Sequence, residues 1–544
     1  MTRTIETEVL VIGGGATGVG VARDLAMRGV EVVLVERREL ASGTSSRHTG
    51  MIHSGTRYVL RDPRAAVECY RENQTLRRIA PQCVVDGSAY VVLIPDDDPG
   101  YVPLWIEGCR VAGIPIEEIS VGEVLRAEPA VNPAIRRAFR SPDTTGDPWR
   151  LIEANAASAR QHGAHILTYH RALGLVEEQG RVVGAGCRDE ITGESVHVRA
   201  AVVINAAGVW AAQVAATVGL SVPLLPSKGV MLAFNRRAIN RPVLRCHPPS
   251  DADALMPSHS VLLSGSTDGD ICEPDDVSIN PAHVQIVLRE SDKILPGISR
   301  SRRLRAWSGV RPLFIGEQGN DDTRQITRSH AVLDHEGRDG KAGLVTIVGG
   351  KWTTYRLMAE ELADLAASKL GVTRPCRTHE EVLPPDDLAR HIWLGAALHE
   401  VEISASANDL VCECELALRT DVERCVREHD ARTPSDLRRL ARIGMGTCQG
   451  GTCGYRAAGL LHDLRRPAAR ETCAALSDFG QERWHGATAT ADGVHLRQMR
   501  LNELVCADVL ALPAVGRLLP HEQSIGDGPQ QGAVNVHDPG AIET

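Results

Sequence analysis

A mostly apolar run, residues 8–12, ends in Gly13-Gly14-Gly15, and beyond it apolar positions recur at helical spacing over residues 16–28 until Gly29 closes them. Residues 30–35 are again mostly apolar and end in Glu36. Strand, helix and strand in this order predict one βαβ unit at the N-terminus. A second continuous apolar run, residues 344–348, ends in Gly349-Gly350-Lys351 and precedes a helical stretch over 353–369. Runs of this kind suit parallel strands buried on both faces, so the first domain is predicted to be closed by a segment far downstream of its start.

Between these runs, helix-like stretches (64–79, 149–161) alternate with strand-like ones (89–94, 164–168, 262–264), and no fixed repeat appears. Pro375, Pro384 and Pro385 with several acids make 371–408 a linker with little core of its own. A smaller module begins near Asp409, and the stretch from Pro520 onward, rich in Gly, Pro, Gln and Asp, is predicted to be mobile.

Composition leaves this α/β picture standing. The chain has 544 residues, 43% hydrophobic and 24% charged, enough for more than one core. The formal charge of -9 does not favour a nucleic-acid surface, and small molecules or proteins are the expected partners. No apolar run approaches the ~20 residues of a membrane span, and the start does not resemble a signal peptide, so a cytoplasmic protein is predicted.

Chemistry enters with Gly13-x-Gly15-x-x-Gly18, set between strand and helix. The first glycine permits the turn, the second lets a pyrophosphate approach, the third lets the helix pack, and the helix N-terminus offers free N–H groups. Glu36 ends the second strand, where a carboxylate can accept hydrogen bonds from both ribose hydroxyls. The motif does not separate FAD from NAD. The strand ends Asn205-Ala206-Ala207-Gly208 and Gly349-Gly350 argue for a flavin, since small residues there permit close ligand approach.

Residues 44–58 are dense in hydroxyls, small residues and ring nitrogens, as in an active-site loop. His53 within them is either a neutral structural histidine or a group for proton transfer or substrate orientation, and its neighbours Ser54, Gly55, Arg57 and Tyr58 speak for the second. Arg311, Arg328, Lys351 and Arg356 are cations set among apolar and small residues; each is a salt-bridge partner or, if they converge, part of a phosphate or carboxylate site.

Of fourteen cysteines, most are scattered, but Cys412-x-Cys414 and Cys448-x4-Cys453 are paired, with glycines around the second pair. Four thiolates suit a [2Fe–2S] cluster, with structural zinc as the rival; Cys425 between the pairs is assigned to the core.

Together Ile12-Gly13-Gly14-Gly15-Ala16-Thr17-Gly18, His53-Ser54-Gly55-Thr56-Arg57-Tyr58, Asn205-Ala206-Ala207-Gly208, Ser308-Gly309-Val310-Arg311-Pro312-Leu313 and the stretch from Gly349 to Arg356 resemble the FAD-dependent glycerol-3-phosphate dehydrogenase family over nearly all of 5–510. The segments Val411-Cys412-Glu413-Cys414 and Gly444-Met445-Gly446-Thr447-Cys448-Gln449-Gly450 are similar to bacterioferritin-associated-ferredoxin-type [2Fe–2S] domains, which mark the catalytic A subunits of the anaerobic branch. Trp352 and the order Arg47-His48-Thr49 depart from the commoner family pattern.

The resemblance implies a glutathione-reductase-like FAD-binding Rossmann domain with an inserted antiparallel-sheet substrate domain, and a small α-rich [2Fe–2S] domain. It places the oxidoreductase at 1–370, with FAD-binding parts at about 1–85, 145–215 and 325–370, the linker at 371–408, the cluster domain at 409–463 and an extension at 464–544. It implies oxidation of sn-glycerol 3-phosphate to dihydroxyacetone phosphate, another 2-hydroxy acid or an amino acid being the alternative substrate. Electrons pass to a quinone through a B-type flavoprotein and a C-type iron–sulfur membrane anchor, which holds the protein on the inner face of the membrane.

Carried over residue by residue, His53, Tyr58, Arg311, Arg328 and Lys351 are the implied catalytic residues, and Cys412, Cys414, Cys448 and Cys453 the cluster ligands. Gly13, Gly15, Ala16, Thr17, Gly18, Glu36, Arg37, Thr44, Ser45, Gly50, Met51, His53, Ala172, Ala207, Gly208, Gly349, Gly350, Lys351, Trp352 and Thr353 are the implied FAD contacts.

Overall fold

The strand Arg3–Ile12 carries Val9, Leu10 and Val11 without solvent contact, so it must be covered on both faces, and it becomes the centre of a parallel sheet. In the computed structural model, which describes residues 3–268, 270–316, 326, 329–385, 394–403, 409–506 and 512, that sheet runs His165–Leu167, Val32–Val35, Arg3–Ile12, Ser195–Asn205, Leu344–Gly349, all parallel. His330–Asp334 adds an antiparallel edge, and the hairpin His170–Glu178 and Arg181–Asp189 extends from Ser195–Asn205. The helices Pro148–Gln161 and Tyr355–Leu370 pack on Ala16–Met27, where Gly20 leaves room: a Cβ there would lie 2.9 Å from that of Ala359.

The chain leaves this domain after Met51–Ile52 and re-enters through Thr144–Thr145, and those two segments pair antiparallel at the junction. Between and beyond them lies a nine-stranded sheet in which Ala89–Leu93 and Val243–Arg245 are parallel and the other pairs antiparallel. This is the inserted antiparallel domain. Its longest pair, Leu224–Phe234 with Arg303–Phe314, sets Ser227 opposite Arg311 at the end nearest the parallel sheet.

The stretch read as a linker is in part core. Arg23 is fully buried on the first helix, and its guanidinium donates to the carbonyls of Thr378 (3.3 Å) and Glu381 (2.8 Å). Leu383 is buried and its N–H donates to Ile79 (2.7 Å). A buried cation needs acceptors, and the turn at residues 377–381 supplies them. The segment Leu394–Ile403 is helical.

The cysteine module is a short hairpin, Leu410–Cys412 with Ala417–Leu418, and the helices Arg419–His429, Pro434–Ala441 and Cys453–Arg465. The extension joins it: Phe479 on the helix Ala469–Thr488 fills space left by Gly444, Gly450 and Gly454, where a Cβ would lie 2.7, 2.7 and 2.9 Å from its ring. The tail expected to be mobile lies outside the described residues.

A buried ionic chain docks the module. Asp147 caps the helix Pro148–Gln161 by accepting the N–H of Trp149 and Arg150, and it also takes His259 Nε2 (3.2 Å) and Arg442 Nη1 (2.8 Å). Arg442 Nε donates to Glu415 (2.8 Å), beside Cys414. Against the pull of burial, His259 and Arg442 hold the Asp147 carboxyl well below the usual carboxylate range. Arg442→Met leaves two buried carboxylates without this partner, and a loss on the order of 3–5 kcal/mol is expected. Limited proteolysis should then release the segment from 409 onward while flavin stays bound; unchanged protease resistance would refute the docking role.

Candidate functional site

A cavity of about 870 Å³ follows the C-terminal ends of the parallel strands. Gly13 sits at φ +113°, where a Cβ would lie 2.6 Å from the Ala206 carbonyl oxygen, and a Cβ on Gly18 would collide with the Gly13 carbonyl. The first turn of Ala16–Met27 carries no acidic residue; the Ala16 N–H donates to the neutral Ser45 Oγ (3.0 Å), so no charge on the chain's own cap cancels the positive end of the helix, which remains available to an anion. Glu36 accepts from Gly14 N (2.7 Å), Arg38 N (3.0 Å) and Ser42 Oγ (3.2 Å); burial raises its pKa against those bonds.

All but two of the FAD contacts expected from sequence line this cavity: Gly13, Gly15, Ala16, Thr17, Glu36, Arg37, Thr44, Ser45, Met51, His53, Ala172, Ala207, Gly208, Gly349, Gly350, Lys351, Trp352 and Thr353. Gly18 and Gly50 support the wall instead; Gly50, at φ +78°, turns the chain so tightly that a Cβ would lie 2.7 Å from the Gly146 carbonyl oxygen. Acid at the ribose end, an uncompensated helix terminus in the middle and glycines at the far end fit a dinucleotide.

The far end brings together His53, Arg57, Tyr58, Arg311 and Lys351. The His53 backbone N–H donates to Thr353 Oγ1 (3.0 Å), its ring stands edge-on to Tyr58 with centroids 5.4 Å apart, and its buried Nδ1 has no hydrogen-bond partner among the described residues. Burial pushes its pKa down to about 4 from the ordinary value near 6.5, so the ring is neutral above pH ~5. Lys351 Nζ stands 5.0 Å from the Tyr58 ring centroid. Arg311, half-buried, donates to Asp268 (3.2 Å), Ser266 Oγ (2.6 Å) and the Thr267 carbonyl (2.7 Å). Arg328 lies outside the described residues.

Arg356 does not join this group. It is buried in a two-pronged pair with Glu72 (2.8 and 2.6 Å) and reaches Glu360 (2.7 Å), one turn further along its own helix.

The sequence passes over Asp143, a wholly buried carboxylate that accepts from Ser54 N, Ser54 Oγ and Thr56 Oγ1 at 2.7 Å and from Ser141 Oγ at 2.8 Å. These bonds fix the loop that presents His53. Arg57, noted only as a neighbour of His53, pairs with Asp253 and donates to the Ser250 carbonyl (3.0 Å), and this pair lines the same cavity. Nothing in the local sequence distinguishes Asp143 or Asp253 from surface acids.

The four paired cysteines converge: Cys412 lies in hydrogen-bond contact with Cys453, Cys414 with Cys448, and Cys448 with Cys453. Backbone N–H groups of Gly444 and Glu415 point at Cys412, and that of Gly450 at Cys448. Cys425 is buried in the module's core. Two adjacent pairs with N–H donors on the sulfurs suit a dinuclear cluster. A second group, Glu360, Cys376 and His379, has ligand atoms within 4.8 Å of one another, yet Glu360 already pairs with Arg356 and the Cys376 thiol with Asp24 (2.9 Å).

Comparison with known proteins agrees with this geometry. The family model described as FAD dependent oxidoreductase matches residues 8–365. The A subunit of the anaerobic glycerol-3-phosphate dehydrogenase of Escherichia coli (strain K12) is 40% identical over 520 residues, 92% of this chain and 96% of that protein. The A1 subunit of the same enzyme from Haloferax volcanii is 39% identical, with 92% and 90% covered. Among solved structures, the glycerol-3-phosphate dehydrogenase from Bacillus halodurans complexed with FAD superposes with a TM-score of 0.67 at 21% identity, over 88% of this chain and 95% of that one. With the dinucleotide cradle, the inserted antiparallel sheet and these matches in place, the chain belongs to the FAD-dependent oxidoreductases, in the family of the anaerobic glycerol-3-phosphate dehydrogenase A subunits.

Proposed function

We propose that the chain oxidises sn-glycerol 3-phosphate to dihydroxyacetone phosphate with FAD as the catalytic component of an anaerobic-type, quinone-linked assembly. The observation that carries the reading is the meeting of a neutral His53 with Arg57, Arg311 and Lys351 at the closed end of the dinucleotide cavity. FAD bound along the cradle supplies the acceptor for the hydride leaving C2. The neutral ring of His53 takes the proton of the C2 hydroxyl. Arg311 and Lys351 hold the phosphate, and Arg328 by family likeness joins them. Tyr58 orients the hydroxyl, and Asp143 keeps the His53 loop in register with Thr353.

Cys412, Cys414, Cys448 and Cys453 hold a [2Fe–2S] cluster that passes the electrons onward one at a time. Among the described residues no helix is long and apolar enough to cross a membrane. A B-type flavoprotein and a C-type iron–sulfur anchor complete the path to the quinone and hold the chain at the inner membrane face; that the relatives matching more than nine-tenths of the chain are named as subunits A or A1 supports such an assembly.

In anaerobic flavin-replete protein, glycerol 3-phosphate should bleach the oxidised-flavin absorbance, and 2-hydroxyglutarate and amino acids should not; bleaching by one of those alone would reassign the substrate. Arg311→Leu should raise KM for glycerol 3-phosphate by roughly 10–100-fold, the size of a lost charged hydrogen bond.

His53→Asn should lower kcat by about 10²–10⁴-fold. For the wild type, kcat/KM should stay level from pH 8 to 6 and fall only as pH approaches about 4, where the ring takes up a proton. The same depressed pKa makes the neutral ring's share of stability whole above pH ~6.5 and lost as pH falls towards 4. A base limb near pH 7 that vanishes in another variant would move the proton acceptor elsewhere.

Anaerobically prepared chain should hold about two iron and two acid-labile sulfide per molecule, the content of one [2Fe–2S] cluster. Cys453→Ser should lose both while glycerol 3-phosphate still bleaches the flavin. One zinc and no sulfide would replace the cluster by a structural ion.

A further inference from the structure

A second cavity, of about 1290 Å³, opens between the flavin domain, the strand Arg303–Phe314 and the cysteine module with its extension. It shares with the dinucleotide cavity only a wall that includes Thr44, Arg47, His48 and Thr49. Among the described residues its lining carries ten arginines against seven carboxylates, and five of the guanidinium groups, from Arg47, Arg305, Arg438, Arg439 and Arg483, gather around the single carboxylate of Glu482. Arg438 spends one nitrogen on both oxygens of Glu482 (2.8 and 2.7 Å), and Arg439 pairs with Glu39. Arg483 donates to Gln449, a neutral amide, and Arg305 has no hydrogen-bond partner among the described residues, only the Trp307 ring 5.8 Å away.

The unpaired buried atoms of this wall have one polarity. Nε of Arg305, Arg438, Arg439 and Arg483 and Nε1 of Trp149 and Trp484 are buried donors without acceptors, and Arg438, Arg439 and Arg483 are each more than nine-tenths buried. Burial and the neighbouring cations pull the pKa of Arg483 down, while against burial the surrounding guanidinium groups hold Glu482 below the carboxylate range. An unpaired buried donor is costly, more so when charged, so a wall carrying several suits acceptors that come from outside the chain.

We propose that this cavity is a second anion site, which takes a phosphate-bearing small molecule of about nucleotide size between the flavin domain and the cysteine module. Guanidinium forks match phosphate oxygens, and phosphate offers only acceptors to a wall that has cations in excess and whose unpaired buried atoms are all donors. The volume exceeds the ~300–1,000 Å³ of ordinary ligand pockets, too large for inorganic phosphate alone. Trp307 and Trp484 supply flat apolar faces for a ring. The inference stands apart from the substrate assignment, since none of these side chains lines the end of the first cavity where His53 and Arg311 meet.

The test uses full-length chain saturated with FAD and ADP as the probe, by equilibrium dialysis. One equivalent of ADP should bind without displacing FAD. Arg305→Gln/Arg483→Gln should weaken it at least about tenfold and leave the rate of flavin bleaching by glycerol 3-phosphate unchanged. Should the double variant not fold, Arg305→Gln alone asks the same question, because that guanidinium supports no hydrogen bond in the fold. No ADP uptake at millimolar concentration, uptake only at the expense of FAD, or equal affinity in the variants overturns the proposal.

Discussion

One strand pairing organises the molecule: Val203, Ile204 and Asn205 lie in parallel register with Leu344, Val345 and Thr346. All six are buried, and each Val, Leu or Ile among them contributes roughly 1.5–3 kcal/mol by leaving water. The register delivers Gly349-Gly350-Lys351 beside Ala206-Ala207-Gly208, which completes the dinucleotide cavity. It sends Tyr355–Leu370 back onto the first helix. It also obliges everything between the two strands to form a structure of its own, and the antiparallel sheet that results ends its long strand with Arg311 facing the cofactor end. The cations proposed to hold the substrate thus come from places distant in sequence, and their convergence depends on this pairing.

What could be read beforehand follows from how local each signal is. The βαβ unit, the strand 344–349 and the glycine cradle were legible because continuous apolar runs and glycines at strand ends state their constraint within a few residues. The paired cysteines were legible as a ligand set for the same reason. The inserted sheet came from family likeness rather than from periodicity, since its strands are buried on uneven faces and do not alternate cleanly. Asp143 was invisible: four donors reach it, three of them from residues more than eighty positions earlier. The linker was misjudged for a related reason, because the acceptors it offers serve Arg23, which lies in the first helix.

Arginine shows the limit most clearly. Arg311 and Arg356 are each flanked by apolar or small residues, which does not tell them apart, while Arg305 ends the arginine-rich run 300–305, the pattern of a solvated face. Arg356 meets a carboxylate whose two oxygens match its fork and becomes a structural pair. Arg311 meets Asp268 and a serine hydroxyl at the rim of the first cavity, so part of its charge faces the space where a substrate sits. Arg305 meets an aromatic ring, and Glu482, the carboxylate that acts on it, is shared with other arginines. The same side chain is locked in a structural pair or left with charge to spare according to the number of carboxylates within reach, which is a property of the packed fold.

The balance of the whole chain, -9, would by itself repel a phosphate ester. Acids such as Glu107, Glu117 and Glu118 lie on the exterior, however, whereas the linings of both cavities carry more cations than carboxylates. At physiological salt the field of an exterior charge decays over about 8 Å, while charges in a low-dielectric wall are screened far less. An anion therefore feels the local excess of cations once it enters a cavity mouth, and the net charge governs only the distant approach. A negative protein with positive interiors can keep away from nucleic acid and still hold phosphate, and the inward placement of its arginines is what separates the two behaviours.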